Sequence, residues 1–314
     1  MRILVTGASG LLGLNLSLEA AKRQANSDNR QNEHDVFGLV HSHPLRTSAF
    51  TVLGGDLFDP NTAQRIIDQT RPNWVINCAA LAIVDACETD PLRAQKLNTE
   101  LPAKLAAIVA RGGARLLHVS TDAVFDGQRG DYTETDTPNP LSVYGRSKLE
   151  GELAVADANP EAIIARVNFY GWSLSGKRSL SEFFFYNLES SKQLMGFTDV
   201  YFCPLLVNDL AQILLKMLQD ELSGLYHVVS SESISKYDFG VALAREFGLE
   251  EKQITPTSVS EAGLAAARSP KLTLRTAKLG AALGTPPPDI SSGLKRFYKL
   301  YQEGYPLTLK GMRE

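Results

Sequence analysis

The sequence predicts an α/β fold, a doubly wound parallel sheet with a smaller α/β lobe at the C-terminal end. Three observations carry that prediction. Over residues 1–167, short β-rich runs alternate with helical stretches, the pattern that lays parallel strands beneath helices on both faces. The first strand enters its helix through a glycine-spaced loop, which makes that turn tight. From Asn168 onward the alternation loosens, so the chain divides into a sheet domain over 1–167, receiving parts of 205–230, and a second lobe over 168–314.

Arg2 to Thr6 is the first strand, and Gly7-Ala-Ser9-Gly10-Leu11-Leu12-Gly13 turns it directly into an apolar helix. Gly-x-x-Gly-x-x-Gly in that context is the Rossmann-type dinucleotide-binding signal. Gly7 permits the turn, Gly10 lets backbone N–H groups approach a pyrophosphate, and Gly13 lets helix and strand pack closely; the helix N-terminus is the anion site. Gln24 to Asp35 is polar without apolar period and reads as an exposed, disordered loop. Val36 to Val40 is the second strand, followed by His41-Ser-His-Pro-Leu-Arg46. An acidic residue at this strand end would suit ribose hydroxyls, whereas a basic neighbourhood suits a 2′-phosphate. With His41 and Arg46 there, the sequence favours NADP(H), and NAD(H) is the alternative.

Thr51 to Gly54 is the third strand, ending at Asp56-Leu57, where a carboxylate can meet an adenine amino group. Asp59 and Pro60 read as cap and first residue of the next helix. Trp74 to Asn77 is the fourth strand, and small Cys78, Ala79 and Ala80 after it leave room for a cofactor across the sheet. Asp90-Pro91 starts a helix that bends near Pro102 and stops at Gly112-Gly113. Arg115 to Ser120 is the fifth strand, and it delivers Thr121 and Asp122 at the edge where open parallel sheets bind ligands.

After the turn-rich stretch 127–138, Asn139 caps and Pro140 opens a helix that carries Tyr144 and Lys148 one turn apart on one face. A free tyrosine titrates at about 10. An ammonium roughly 4 Å away is worth about 4 kcal/mol at an effective dielectric near 20, around three pK units, so the spacing predicts a phenol tuned toward neutrality. The plain structural alternative is a half-buried tyrosine beside a solvated lysine. Ala162 to Val167 is the sixth strand.

In the second half, 172–192 is aromatic and serine-rich, with Phe183, Phe184 and Phe185 in a row, and reads as a helix packed into the second lobe. Asp199 to Pro204 is extended. Val207 to Leu222 is an amphipathic helix ended by Gly224, Leu225 to Val229 a strand, Ser235 to Gly248 a capped helix, and Ser291 to Glu303 the last helix.

Net charge is −3 over 314 residues, with 44% hydrophobic and 21% charged, and no basic run is interleaved with aromatics. Nucleic acid and anionic membrane are therefore not expected partners. No apolar run approaches the roughly 18 residues of a membrane span, and the chain starts in a strand without a leader, so a cytoplasmic location is expected. Cys78, Cys87 and Cys203 are too few and scattered for a disulfide framework or a metal site and read as small buried hydrophobes.

Taken together, Thr-Gly-Ala-Ser-Gly-Leu-Leu-Gly (6–13), Asn-Cys-Ala-Ala (77–80), Val-Asp-Ala-Cys-Glu (84–88), His-Val-Ser-Thr-Asp-Ala-Val-Phe-Asp-Gly (118–127) and Tyr-x-x-x-Lys (144–148) resemble the extended short-chain dehydrogenase/reductase superfamily, and within it the dTDP-4-dehydrorhamnose reductases. The resemblance implies an NADP-dependent oxidoreductase acting on a nucleotide-linked 4-keto-6-deoxy sugar. Thr121 and Tyr144 would bind the substrate carbonyl, with Tyr144 giving the proton and Lys148 holding the nicotinamide ribose. Val84, Asp122, Ala123, Phe169 and Arg268 would face the sugar nucleotide. The family usually has Tyr where Ala123 stands, Trp at Phe169, and Gln and Thr at Val200 and Leu205, which points to a related 4-ketosugar. The same superfamily includes epimerases and dehydratases, and the regulatory subunit of methionine adenosyltransferase resembles it too. A homodimer is one option for the assembly.

Overall fold

The computed structural model describes residues 1–25, 34–59, 61–261 and 269–313. Six strands of the central sheet come from residues 1–167: β1 (Arg2–Thr6), β2 (Asp35–Val40), β3 (Thr51–Gly54), β4 (Trp74–Asn77), β5 (Arg115–Thr121) and β6 (Ile163–Val167). The seventh, β7 (Gly224–Val228), returns from the second half and pairs with β6. All pairings are parallel, in the order β7-β6-β5-β4-β1-β2-β3. Strand order therefore reverses between β1 and β4, the switch point at whose C-terminal edge open parallel sheets bind ligands.

Alternation along the strands builds two cores. Ile3 and Val5 of β1 point into one, with Ile76, Leu117 and Ile163, under helices α1 (Leu11–Ala25) and α8 (Val207–Gln219). Leu4 points into the other, with Val75, Leu116 and Ile164, under α2 (Thr62–Thr70), α5 (Leu101–Gly112) and α6 (Val143–Ala158). A strand buried on both faces reads as a continuous apolar run, as Ile-Leu-Val does here. Between β4 and α5 stand two short helices, α3 (Val84–Thr89) and α4 (Pro91–Gln95), and then a π-helical turn over Lys96–Glu100.

The rest of the chain adds α7 (Leu180–Glu189), α9 (Lys236–Phe247), α10 (Ala277–Leu283), α11 (Ile290–Gln302) and α12 (Tyr305–Gly311). Its small sheets pair Phe169–Tyr170 with Leu205–Leu206, Tyr201–Phe202 with Ile234–Ser235 and Lys271–Leu272, and Leu194–Phe197 with Ile254–Thr257. Trp172 is fully buried, stacked on Phe297 with centroids 4.1 Å apart and edge-on to Phe185. Of the three consecutive phenylalanines, Phe184 and Phe185 are buried and Phe183 is exposed, as one amphipathic helix dictates.

Several expected boundaries are corrected. The helix carrying Tyr144 begins at Val143, not at Asn139: Ser142 is its cap, accepting from Gly145 N–H at 3.1 Å, and Glu88 of α3 accepts from Val143 N–H at 2.8 Å. Asn139 instead donates to Asp126 at 3.0 Å. Helix α2 starts at Thr62, with the Asp59 carboxylate accepting from Asn61 N–H and the Thr62 hydroxyl; Pro60 lies outside the described residues, as do most of the Gln24–Asp35 tract and Arg268. The strands Leu194–Phe197 and Ile254–Thr257 carried no sequence signal that was read. Among the described residues no helix is long and apolar enough to cross a membrane.

Candidate active site

Every strand end named from the sequence opens onto the same edge of the sheet. At the β1–β4 switch, Gly7 has φ +66°, and a Cβ there would lie 2.9 Å from Ala79 N. A Cβ on Gly13 would lie 2.2 Å from the Gly7 carbonyl, so glycine is what lets α1 sit against the turn. Gly10 N–H donates to Gly7 O at 2.9 Å, and α1 starts at Leu11. Ser9, Leu11 and Leu12 thus stand at the first turn, where backbone N–H groups lack intrahelical partners and attract an anion. Half-buried Cys78, Ala79 and Ala80 face this loop from β4, and Ala79 N–H donates to Thr6 Oγ1 at 3.3 Å.

Beyond β2 and β3, exposed His41 lies 3.7 Å from the Asp56 carboxylate, which also accepts from Phe58 N–H, with Leu57 between them. Arg46 is exposed, and its backbone N–H donates to Met312 O at 2.9 Å while Leu45 forms a β-bridge with Arg313. The C-terminal end of the chain therefore holds the loop that carries the two basic residues.

At the β5 end, Thr121 is buried, accepts from Ala123 N–H at 3.2 Å and donates to Asp122 Oδ1 at 3.2 Å. Half-buried Tyr144 stands near it, and Thr121 acts to lower the phenol's proton affinity. A Cβ on Gly145 would come 2.3 Å from the Ala123 carbonyl, so the glycine after Tyr144 lets α6 touch the strand end. Lys148 is buried one turn on, and its ammonium donates to Val119 O at 2.6 Å, with His118 Nε2 at 3.4 Å.

Electrostatics reverses the tuning expected from spacing. Burial pushes the Tyr144 phenol up to about 12, against the downward pull of Thr121. Burial likewise pulls Lys148 down to about 8. Both groups have lost water, and Lys148 spends its charge on the Val119 carbonyl rather than on the phenol. Asp122 is raised to about 6 by burial, partly offset by Asn168 Nδ2, which donates to its Oδ2 at 2.6 Å. Val84 opens α3, and Phe169 follows Asn168 in the short strand Phe169–Tyr170; both are half-buried. Of the cysteines, Cys87 and Cys203 are buried as expected, whereas Cys78 is half-buried at the site edge.

Two supporting constellations were not read from the sequence. Buried Asn98, on the π-turn, accepts from Leu81 N–H at 2.9 Å and donates to Leu81 O at 3.1 Å and Ser147 Oγ at 3.0 Å. It ties the loop after β4 to α6 beside Lys148. The available signal was Pro102, whose missing N–H relaxes the helical ladder at that point. Behind Thr121, buried Glu152 accepts from Ser120 Oγ and from Arg166, whose Nη2 donates at 2.7 Å. An arginine inside the apolar run Ile-Ile-Ala-Arg-Val was the clue to that pair. Among the described residues no cluster of His, Cys, Asp or Glu could hold a metal ion.

The chain is similar to known proteins over most of its length. The chain is 32% identical over 298 residues to a protein described as the probable low-salt glycan biosynthesis reductase Agl14 of Haloferax volcanii, covering 94% of this chain and 96% of that one. It is 31% identical to the methionine adenosyltransferase 2 subunit beta of Danio rerio, covering 88% and 84%. It superposes on the dTDP-4-dehydrorhamnose reductase of Bacillus anthracis strain Ames, solved in complex with NADP, with a TM-score of 0.79, 25% identity and coverage of 95% and 98%. Residues 1–303 match the RmlD substrate binding domain, and the chain belongs to that family.

Proposed function

We propose that this chain is an NADPH-dependent reductase of a nucleotide-linked 4-keto-6-deoxy sugar. The observation that carries the reading is the placement of Thr121, Tyr144 and Lys148 at the same sheet edge as the glycine loop. The cradle fits a dinucleotide: Gly7 and Gly13 admit no side chain, α1 presents free N–H groups, and small residues line the β4 end. Bound NADPH supplies the hydride. The chain's own residues orient the ketone, exclude water and hold the proton.

Thr121 and Tyr144 offer two hydroxyls at one strand end, enough to grip a carbonyl oxygen from two directions. The raised phenol is fully protonated at neutral pH, the form that reduction consumes. Lys148 is mainly an ammonium at pH 7 and places positive charge beside the oxygen that becomes an alkoxide. His41 and Arg46 support NADPH over NADH, in keeping with the NADP found in the Bacillus anthracis relative. Ala123 and Phe169, smaller than the family's Tyr and Trp, support a sugar differing from dTDP-4-dehydrorhamnose around the ring.

The test is loss of NADPH absorbance with a panel of nucleotide 4-ketosugars. Tyr144→Phe should lower turnover at least about 100-fold with NADPH affinity and folding retained. Turnover of a sugar with no net NADPH consumption would indicate an epimerase instead. The likeness to the methionine adenosyltransferase subunit favours one second reading, a cofactor-binding regulatory subunit. Tight NADPH binding with no consumption for any sugar, and co-purification with a separate enzyme, would establish it and sink the reductase.

A further inference from the structure

We infer that His118 is the positioning residue of Lys148: a neutral imidazole fixed in the Nδ1–H tautomer, linking the lysine through Asn77 and Thr6 to the strand end beneath the glycine loop. This deepens the reductase reading and rests on the role given there to Lys148.

The contacts form one buried line across three strands. Lys148 Nζ lies 3.4 Å from His118 Nε2, and His118 Nδ1 lies 3.0 Å from Asn77 Nδ2. Asn77 Oδ1 in turn accepts from Thr6 Oγ1 at 2.6 Å, and that hydroxyl accepts from Ala79 N–H beside Gly7. Thr6, Asn77 and His118 are at most 1% exposed and Lys148 is 2% exposed, so water cannot substitute for a missing partner.

Valence then selects the tautomer. A neutral imidazole has one N–H and one lone pair, and an ammonium can only donate. Nε2 must therefore carry the lone pair toward Lys148, and Nδ1 must carry the proton. In the structure Asn77 Nδ2 faces Nδ1 and Oδ1 accepts from Thr6, so the Nδ1–H tautomer requires half a turn of the amide, which brings the carboxamide oxygen to Nδ1–H and the NH2 to Thr6 Oγ1. The Thr6 hydroxyl proton loses that acceptor, a smaller cost than an imidazole N–H facing a buried ammonium. Protonating His118 would oppose two cations in a dry site, and its pKa lies well below the ordinary 6.5 through burial and the Lys148 charge. The other titratable groups that act on Lys148 are Glu152 on its own helix and Cys78 from the β4 end.

The direct test is the imidazole nitrogen NMR spectrum of the cofactor-free protein. Five histidines make it tractable, and His118 is assigned by the signals lost in His118→Gln. The expected result is an Nδ1–H pattern unchanged from pH 8 to pH 5. An Nε2–H pattern, or titration inside that range, overturns the inference whether or not any sugar is turned over.

The second arm uses the pH profile of ketosugar reduction. His118→Leu removes the acceptor, so the Lys148 ammonium becomes less stable and the alkaline limb moves about one pH unit lower. His118→Gln, whose carboxamide oxygen can accept, should restore the limb. A uniform drop in rate with the limb unmoved would mark a merely structural histidine and overturn the proposal. If His118→Leu does not fold, the wild-type spectrum decides alone. Absence of NADPH consumption by the wild type would defeat the reductase reading while leaving the spectroscopic arm intact.

Discussion

At the residue scale, Asp122 shows how a site position opposes stability. Its pKa is raised from 3.8 to about 6 by burial, so the folded chain binds the proton more tightly than the unfolded one. That contribution is fully present below pH 3.8 and is lost as pH rises through about 6. Asp122→Asn cannot ionise and still accepts from Asn168, so it should be more stable than the wild type at pH 7 by about 1–2 kcal/mol while losing activity. Urea unfolding at pH 5 and pH 7 checks this, and an equal pH dependence in both proteins would refute it. Arg46 belongs to the same scale. Arg46→Ala should weaken NADPH roughly tenfold and NADH little, since one charge–phosphate contact is worth about 1.5–3 kcal/mol. Equal weakening in fluorescence titrations would remove Arg46 from the 2′-phosphate site. That Thr121, Tyr144 and Lys148 would stand at one sheet edge was legible in the sequence from strand-end position and spacing. Their proton affinities were not, because desolvation depends on what covers a group and spacing says nothing of that.

At the element scale, α6 is positioned by two glycines. Gly145 lets it meet the Ala123 carbonyl, and a Cβ on Gly151 would lie 2.0 Å from the Asn98 carbonyl on the π-turn. Gly151→Ala should cost about 1–3 kcal/mol by overpacking and reduce turnover, because the backbone that must yield belongs to the clamp beside Lys148. Gly112→Ala is the control: nothing lies within 4 Å of its Cβ position in α5, so it should gain about 0.5–1 kcal/mol. Thermal melts of both, with turnover, decide the matter. The start of α6 was misread because Asn139-Pro140 and Ser142 are both sound local caps. Glu88 on α3 and Asp126 on the preceding loop chose between them, and such partners are tertiary. The strands Thr51–Gly54 and Trp74–Asn77, by contrast, were legible to the residue, since short apolar runs between breakers leave little latitude.

At the scale of the whole molecule, the chain closes on itself around the cofactor edge. Strand β7 joins β6 from the second half, α8 packs on α1, and Tyr305 of α12 donates to Asn15 of α1 at 2.8 Å. Residues just beyond α12 then pair with the loop after β2. Ending the chain at Gly311 removes the acceptor for Arg46 N–H, and NADPH affinity should fall about three- to tenfold through loss of one backbone hydrogen bond. Arg313→Ala should leave it unchanged, because the contact is main chain. A truncated chain that binds NADPH as tightly as the full one would show that the loop holds itself.

The sequence by itself determined the alternation of strands and helices, the glycine turn and the residue types at each strand end, because these follow from periodicity and local backbone chemistry. Only the tertiary structure decided which strand lies beside which, that the last residues brace the first half, and that Tyr144 and Lys148 are pushed apart in proton affinity rather than drawn together. The physical reason is range. Local propensities act over a few residues, whereas desolvation and the hydrogen-bond partners of buried groups come from segments tens to hundreds of residues away.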